Sequence, residues 1–267
     1  MGVNLDKPHR WNEDIARSVD LYNDWFLKFA PETYQEEREK ATKQVINMLN
    51  RTCYLRKLTC KELRKYPSIL SALRMSTAPP LARERLSGLA KVPKSLVARM
   101  ETKNQLPTQM GKDKLDDLLQ RIADMLVQLV DVDIFPWLRN KRDPSKQEVY
   151  RASTIVADRL CGANANPIIR NAQEQRQLDK IKKWLEARGY RDMTGKVSLA
   201  ELKAGMFAFR LNVPGLKENN EQVNIPVDIV VMPLKAKANE LPLMIEAKSA
   251  GDFTTVSYTH LRAHETR

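Results

Sequence analysis

Two short apolar runs, IPVDIVVM at Ile225–Met232 and LPLMIEAK at Leu241–Lys248, constrain the fold of this chain more than any other feature. Both are of strand length and rich in Val and Ile, and a polar stretch with Pro233 and Asn239 separates them, so Asn224 to Asp252 is predicted to form a β-hairpin. Each run carries charge where an apolar strand has no use for it. Asp228 interrupts the first, and the second closes with Glu246-Ala247-Lys248. Strand side chains alternate, so Glu246 and Lys248 are expected on one side with Met244, and Leu243, Ile245 and Ala247 on the other. Two carboxylates and an amine can then converge. Carboxylates on rigid strands suit a hard divalent cation such as Mg2+, which takes oxygen ligands and keeps several waters. A lysine beside the ion can orient or deprotonate an attacking water. The competing role for both acids is protection of a sheet edge against pairing with another chain.

The 267 residues suffice for one large or two ordinary domains, and 42% hydrophobic with 29% charged residues is the composition of a soluble globular protein. No apolar run approaches membrane-spanning length, and the N-terminus lacks the charged-then-apolar pattern of a signal peptide, so a cytoplasmic location and no membrane partner are expected. Asp6 stands where a myristoylation site needs Ser or Thr. Cys53, Cys60 and Cys161 are odd in number, widely spaced and without neighbouring histidines, which predicts reduced core thiols; Cys53 and Cys60 could share a helix face.

The net charge of +12 points to a polyanionic partner, most often nucleic acid. Between Arg51 and Met100 twelve Lys and Arg face two acids, Glu62 and Glu84, so most of the excess sits in less than a fifth of the chain. Such concentration suits neutralisation of phosphates along a duplex; the alternative is a solvated basic face.

The first hundred residues read as all-helical. A helix over Arg10–Phe29 is predicted to end at Pro31, a second covers Glu32–Asn50, and short helices follow around Pro67. In APPLARERLSGLAKVPKSLVARME, Ala78–Glu101, the run LAKVPKSLVARME is similar to the turn and recognition helix of helix-turn-helix proteins. Leu96, Val97 and Met100 would face the protein, and Lys94, Ser95 and Arg99 the major groove, with Arg83 and Arg85 as further DNA contacts. The alternative is a helical hairpin whose basic residues meet only solvent. Asp113–Val132 carries a broad apolar stripe, a core helix or a dimer seam, with Asp116, Asp117 and Asp124 as solvent charges. Arg139–Lys146 reads as a linker or a phosphate-contacting loop. A helix over Gln147–Leu160 should end at Cys161-Gly162, and another should begin near Asn171 and stop at Gly189. In it Glu174 lies one turn before Leu178 on the apolar line, as an auxiliary metal or water-positioning acid, or else closes an Asn171-x-x-Glu174 capping box. Arg170 is a candidate phosphate contact. MFAFRLNV, after Gly205, is a third strand, leading into the hairpin through Pro214-Gly215.

Pro226, Asp228 and Glu246-x-Lys248 together resemble the PD-(D/E)xK nuclease signature, and helix, strand, strand, strand matches the start of that superfamily's αβββαβ core. The wider sequence, notably ANPIIRNAQE, PVDIVV and IEAKSAGD, resembles XamI-type type II restriction endonucleases over most of Trp11–Thr254. The resemblance implies an α+β chain: a helical DNA-recognition region over 1–145, with the helix-turn-helix at 81–101, then a nuclease core over 146–255. It also implies Mg2+-dependent hydrolysis of double-stranded DNA within a restriction-modification system. Asp228 and Glu246 would hold the metal and Lys248 would position the water. Products would carry 5′-phosphate ends, and a homodimer would cut a short palindrome. Ser249 and Asp252 are expected to cap the following turn. Family members continue past the motif with a charged helix and at least one more strand. Here the tail 256–267 resembles a translated cloning sequence, so a truncated core is expected and His260 and His264 are read as non-functional. The competing readings are a non-catalytic helix-turn-helix DNA-binding protein and a repair nuclease of the same superfamily.

Overall fold

The computed structural model describes residues 8–216, 221–237 and 240–247. The tail, Lys248, Ser249, Asp252 and both of its histidines therefore lie outside the described residues. By internal contacts the chain divides into two compact units, 29–168 and 1–28 with 169–267.

Two long helices span both units in sequence, α1 (Pro8–Arg51) and α8 (Lys146–Glu186). Each was expected as two helices, and each instead runs through a proline, Pro31 in α1 and Pro167 in α8. An interior proline costs about 3 kcal/mol and one backbone hydrogen bond, so burial elsewhere along the helix must offset it. It does in unit 29–168, where Ala41, Val45, Met48 and Leu49 of α1 and Ala152, Val156, Leu160 and Ala165 of α8 all enter one core. Tyr34 donates to Asn166 Oδ1 at 2.7 Å and Arg38 pairs with Asp158 at 2.6 Å, tying the two helices together there.

Around them pack α2 (Cys60–Lys65), α3 (Leu70–Met75), α4 (Arg83–Leu89), α5 (Lys94–Lys103), α6 (Lys112–Leu129) and the single turn α7 (Pro136–Arg139). The apolar stripe of α6 is a core face: Leu115, Leu118, Leu119, Ile122, Ala123 and Leu126 are all buried. Asp116 is more than a solvent charge, because Arg64 of α2 donates to it at 2.7 Å and joins the two helices. Phe135 and Trp137 are fully buried edge to face, 5.4 Å between rings, and the indole donates to the Tyr54 carbonyl at 2.8 Å. Cys53 lies in a left-handed turn with Tyr54 and Leu55, φ 48, 58 and 65°, so it shares no helix face with Cys60. All three thiols are free, and burial pushes that of Cys161 up.

The start of α8 carries a capping box that the sequence reading passed over. The Ser145 hydroxyl accepts from the Glu148 N–H at 3.2 Å, and Glu148 accepts from the Ser145 N–H at 2.8 Å and from both terminal nitrogens of Arg142. The Arg142 hydrogen bonds and then the Ser145 amide hold the Glu148 pKa down at about 2. A folded-state pKa below the unfolded one gives stability present above the ordinary carboxylate range and lost as pH falls through it toward 2. The difference in thermal midpoint between wild type and E148Q should therefore shrink as pH drops from about 4.5 to about 2.

In the other unit, β1 (Arg191–Asp192), β2 (Met206–Leu216), β3 (Gln222–Val231) and β4 (Leu243–Ile245) form one sheet in that order, β1–β2 parallel and the rest antiparallel. The expected hairpin is β3–β4. β1 was not expected, and β2 continues through Pro214-Gly215 instead of turning there. Pro214, and Pro226 opposite Asn212, are tolerated because each lies where its strand has a described neighbour on one side only. One sheet face packs Phe207, Ile229 and Val231 on Leu178 and Leu185 of α8. The other packs Ala208, Val213 and Val230 with Leu202. Lys182 of α8 meets Asp192 of β1 at 2.7 Å; burial alone would raise the Asp192 pKa, but hydrogen bonds from Lys182 and Thr194 lower it. Long helices and a small mixed sheet make the chain α+β.

Candidate active site

The strand register brings the unusual side chains level. Phe209 pairs with Ile229 and Leu211 with Val227, which leaves Arg210 opposite Asp228. On the other side Ile229 pairs with Ile245, so the next step of the same register sets Glu246, just past the end of β4, opposite Asp228. Arg210, Asp228 and Glu246 thus share one row across three strands. The Ala247 N–H donates to Asp228 Oδ2 at 2.8 Å and fixes that carboxylate oxygen. Ala247 packs with the helix-side core while Glu246 is exposed, the alternation expected from the sequence.

Edge protection does not account for Asp228, because β3 is flanked by β2 and β4. It remains available to Glu246 at the edge. The row is also where the sheet changes its facing. Phe207 and Phe209 point to the helix-side core, yet Leu211 and Val213 belong to the opposite one; Ile229 and Val227 divide in the same way. Strict alternation would keep Phe207, Phe209, Leu211 and Val213 on one face. The reversal coincides with a left-handed backbone at Arg210, φ 50°. For a side-chain-bearing residue that conformation costs about 1–2 kcal/mol.

Glu174 is not a helix cap, since α8 begins at Lys146 and Asn171 lies well inside it. It projects from the sheet-facing stripe, one turn before Leu178, and accepts from Arg210 at 2.5 Å. Both side chains are about half exposed, 44% and 61%, a setting in which an ion pair contributes only about 0–1 kcal/mol. Among the described residues no three His, Cys, Asp or Glu side chains are grouped closely enough to hold a metal ion. Glu174 therefore does not join Asp228 and Glu246 in a three-carboxylate cluster. Two carboxylates remain a donor set that Mg2+ accepts when water and substrate phosphate complete its shell. Lys248 lies outside the described residues.

In unit 29–168 the helix-turn-helix candidate is α4 and α5 joined by Ala90–Pro93. Leu96, Val97 and Met100 are buried, Lys94 and Ser95 are exposed, and Arg99 is intermediate, a partition that a recognition helix and a hairpin with solvated basic residues share. Among the described residues Arg99 Nε is buried without a partner. Arg85 is exposed. Arg83 is already engaged, donating to Glu101 at 2.6 Å. Glu101, 1% exposed, also takes both arms of Arg74, which donates in addition to the Leu81 carbonyl. Arg51 over Tyr66, Arg56 with Asp143 and Arg64 with Asp116 use up further members of the basic segment, so its net charge overstates what a duplex would meet. Arg170 is exposed on α8. A cavity of about 370 Å³ in this unit, lined by Leu55, Leu73, Leu126 and Trp137 among others, contains no carboxylate and offers nothing for hydrolysis.

Sequence reasoning missed Arg210 and Glu101. A charged residue inside the apolar run MFAFRLNV was a signal for the first; Glu101 at the end of a basic helix gave none.

Residues 53–257 match the model of a family described as XamI restriction endonuclease. The chain is 46% identical over 257 residues, 96% of its length, to the type II restriction enzyme SalI of Streptomyces albus G, of which it covers 81%. No solved structure matches it.

Proposed function

The chain belongs to the XamI restriction endonuclease family, and we propose that it cuts double-stranded DNA site-specifically by Mg2+-dependent phosphodiester hydrolysis in the row of Asp228 and Glu246. It is a type II restriction endonuclease, a DNA-cleaving hydrolase. No helix among the described residues is long and apolar enough to cross a membrane. Type II restriction endonucleases generally need a divalent metal ion; that Mg2+ serves here, held by Asp228 and Glu246, belongs to the proposal. The observation that supports it is the register that runs Asp228, on a strand between two others, level with Glu246.

Bound there, the ion supplies Lewis acidity toward a phosphoryl oxygen and lowers the pKa of a coordinated water. The chain's own groups do the rest. The Ala247 amide holds the carboxylate of Asp228 in place. Lys248 holds the attacking water in line with the scissile bond and offsets charge on the phosphate. Glu174 is the auxiliary acid, acting on the row through Arg210, whose guanidinium it accepts from. Lys94, Ser95 and Arg99 of α5 meet the major groove, while Arg85 and Arg170 contact phosphates. Two copies of the chain, related by a two-fold axis, read a palindromic site.

Plasmid incubated with the intact protein in Mg2+ should give discrete fragments that disappear in EDTA and in Lys248→Ala. Binding without any cutting by the wild type would sink the reading. For recognition, Arg85→Ala should weaken binding similarly on all sequences and lower the slope of log affinity against log salt by about 1. An unchanged slope would remove Arg85 from the interface.

A further inference from the structure

The geometry points to Arg210 as a further catalytic residue, which binds the scissile phosphate through its guanidinium and is held in register by Glu174 until DNA arrives; this rests on the reading of the row as the cleavage site. Three observations converge on it. Arg210 lies opposite Asp228, in the row that Glu246 completes. Its backbone is left-handed within a strand otherwise regularly paired on both sides of it. Its partner, Glu174, is a half-exposed carboxylate at 2.5 Å.

The conformation needs an explanation that stability does not provide. A regular strand would turn position 210 toward the face of Ala208 and Val230, both fully buried, where a guanidinium could not be hydrated. The left-handed residue instead brings the side chain out on the side of α8, 61% exposed. An exposed ion pair contributes less than that backbone costs, so the Glu174 contact alone does not account for the strain. Strain retained by a side-chain-bearing residue beside reactive groups is typical of a functional constraint. The ligand follows from chemistry: a half-exposed planar fork, on the strand position level with Asp228 and Glu246, fits the non-bridging oxygens of a phosphodiester. Glu174, exchangeable because it is solvated, yields its place to that phosphate. No bond is made or broken in this step. The guanidinium donates two hydrogen bonds that strengthen as charge builds on the phosphoryl oxygens.

Arg210→Gly separates this role from a structural one, because glycine adopts the left-handed backbone without strain. In the intact protein the thermal midpoint of R210G is expected to stay level or rise, while single-turnover plasmid cleavage in Mg2+ falls at least about 100-fold. R210K, which keeps the charge and loses the fork, should stay at least about tenfold below wild type, and added guanidinium should restore part of the R210G rate. R210G cutting within about threefold of wild type, or losing thermal stability in step with activity, overturns the inference. Asp228→Asn, assayed alongside, distinguishes the two levels. If D228N is inactive and R210G cuts normally, only the role of Arg210 fails; if D228N also cuts normally, the site itself is misplaced.

Discussion

Asp228→Asn should reduce cleavage by about three orders of magnitude while binding to DNA persists. The expectation follows from position. Asp228 lies on a strand with neighbours on both sides, level with Glu246 and Arg210, and is the acid in the row that edge protection cannot explain. Asparagine preserves the shape and can still accept from the Ala247 N–H, so the sheet should survive. What it loses is the negative charge that holds a divalent cation. Metal-assisted stabilisation of a phosphoryl transition state is worth several kcal/mol, and each 1.36 kcal/mol is tenfold in rate. Single-turnover cleavage, with binding followed separately in EDTA, measures both quantities. A drop of less than about tenfold would show that another group holds the ion.

Glu101→Ala should lower the stability of unit 29–168 by about 3–5 kcal/mol, the range for removing one partner of a buried ion pair. Glu101 is 1% exposed and receives Arg74 on both oxygens, and Arg74 is itself 9% exposed. Removing the carboxylate leaves a guanidinium buried with one remaining partner, the Leu81 carbonyl. Arg83, 45% exposed, can turn to water, so the loss falls on Arg74. These contacts link α3, α4 and α5, so DNA binding should weaken together with folding. Urea unfolding is the test. A shift below about 1 kcal/mol would mean that Arg74 finds water on losing its partner.

The two prolines show where sequence patterning stopped short. Pro31 and the Cys161-Gly162 pair read as helix ends because a local rule, a missing N–H or a permissive glycine, has no knowledge of burial farther along. Core residues on both sides of the break carry α8 through, and Ala41, Val45, Met48 and Leu49, beyond Pro31, anchor α1. The stripe of α6 and the buried side of α5 were legible because period 3.6 reports burial directly. So was the hairpin of β3 and β4, whose Asp228 and Glu246-x-Lys248 stood out against apolar neighbours. The capping role offered for Glu174 was wrong because its supposed cap residue lies inside a longer helix. The importance of Arg210 was hidden for a different reason. A single residue's left-handed backbone, and the reversal of facing it causes, leave no trace in a pattern of hydrophobicity.

The most direct test of the central claim is metal binding by the intact protein. Mn2+ titrated into wild type and into the Asp228→Asn, Glu246→Gln double variant can be followed by the free-ion electron paramagnetic resonance signal. The wild type should take up the ion at the row, and the double variant should bind it more than about 100-fold more weakly, since even indirect supports of a metal site are worth 10–100-fold. Equal uptake by the two proteins would contradict the assignment of Asp228 and Glu246 as the metal site.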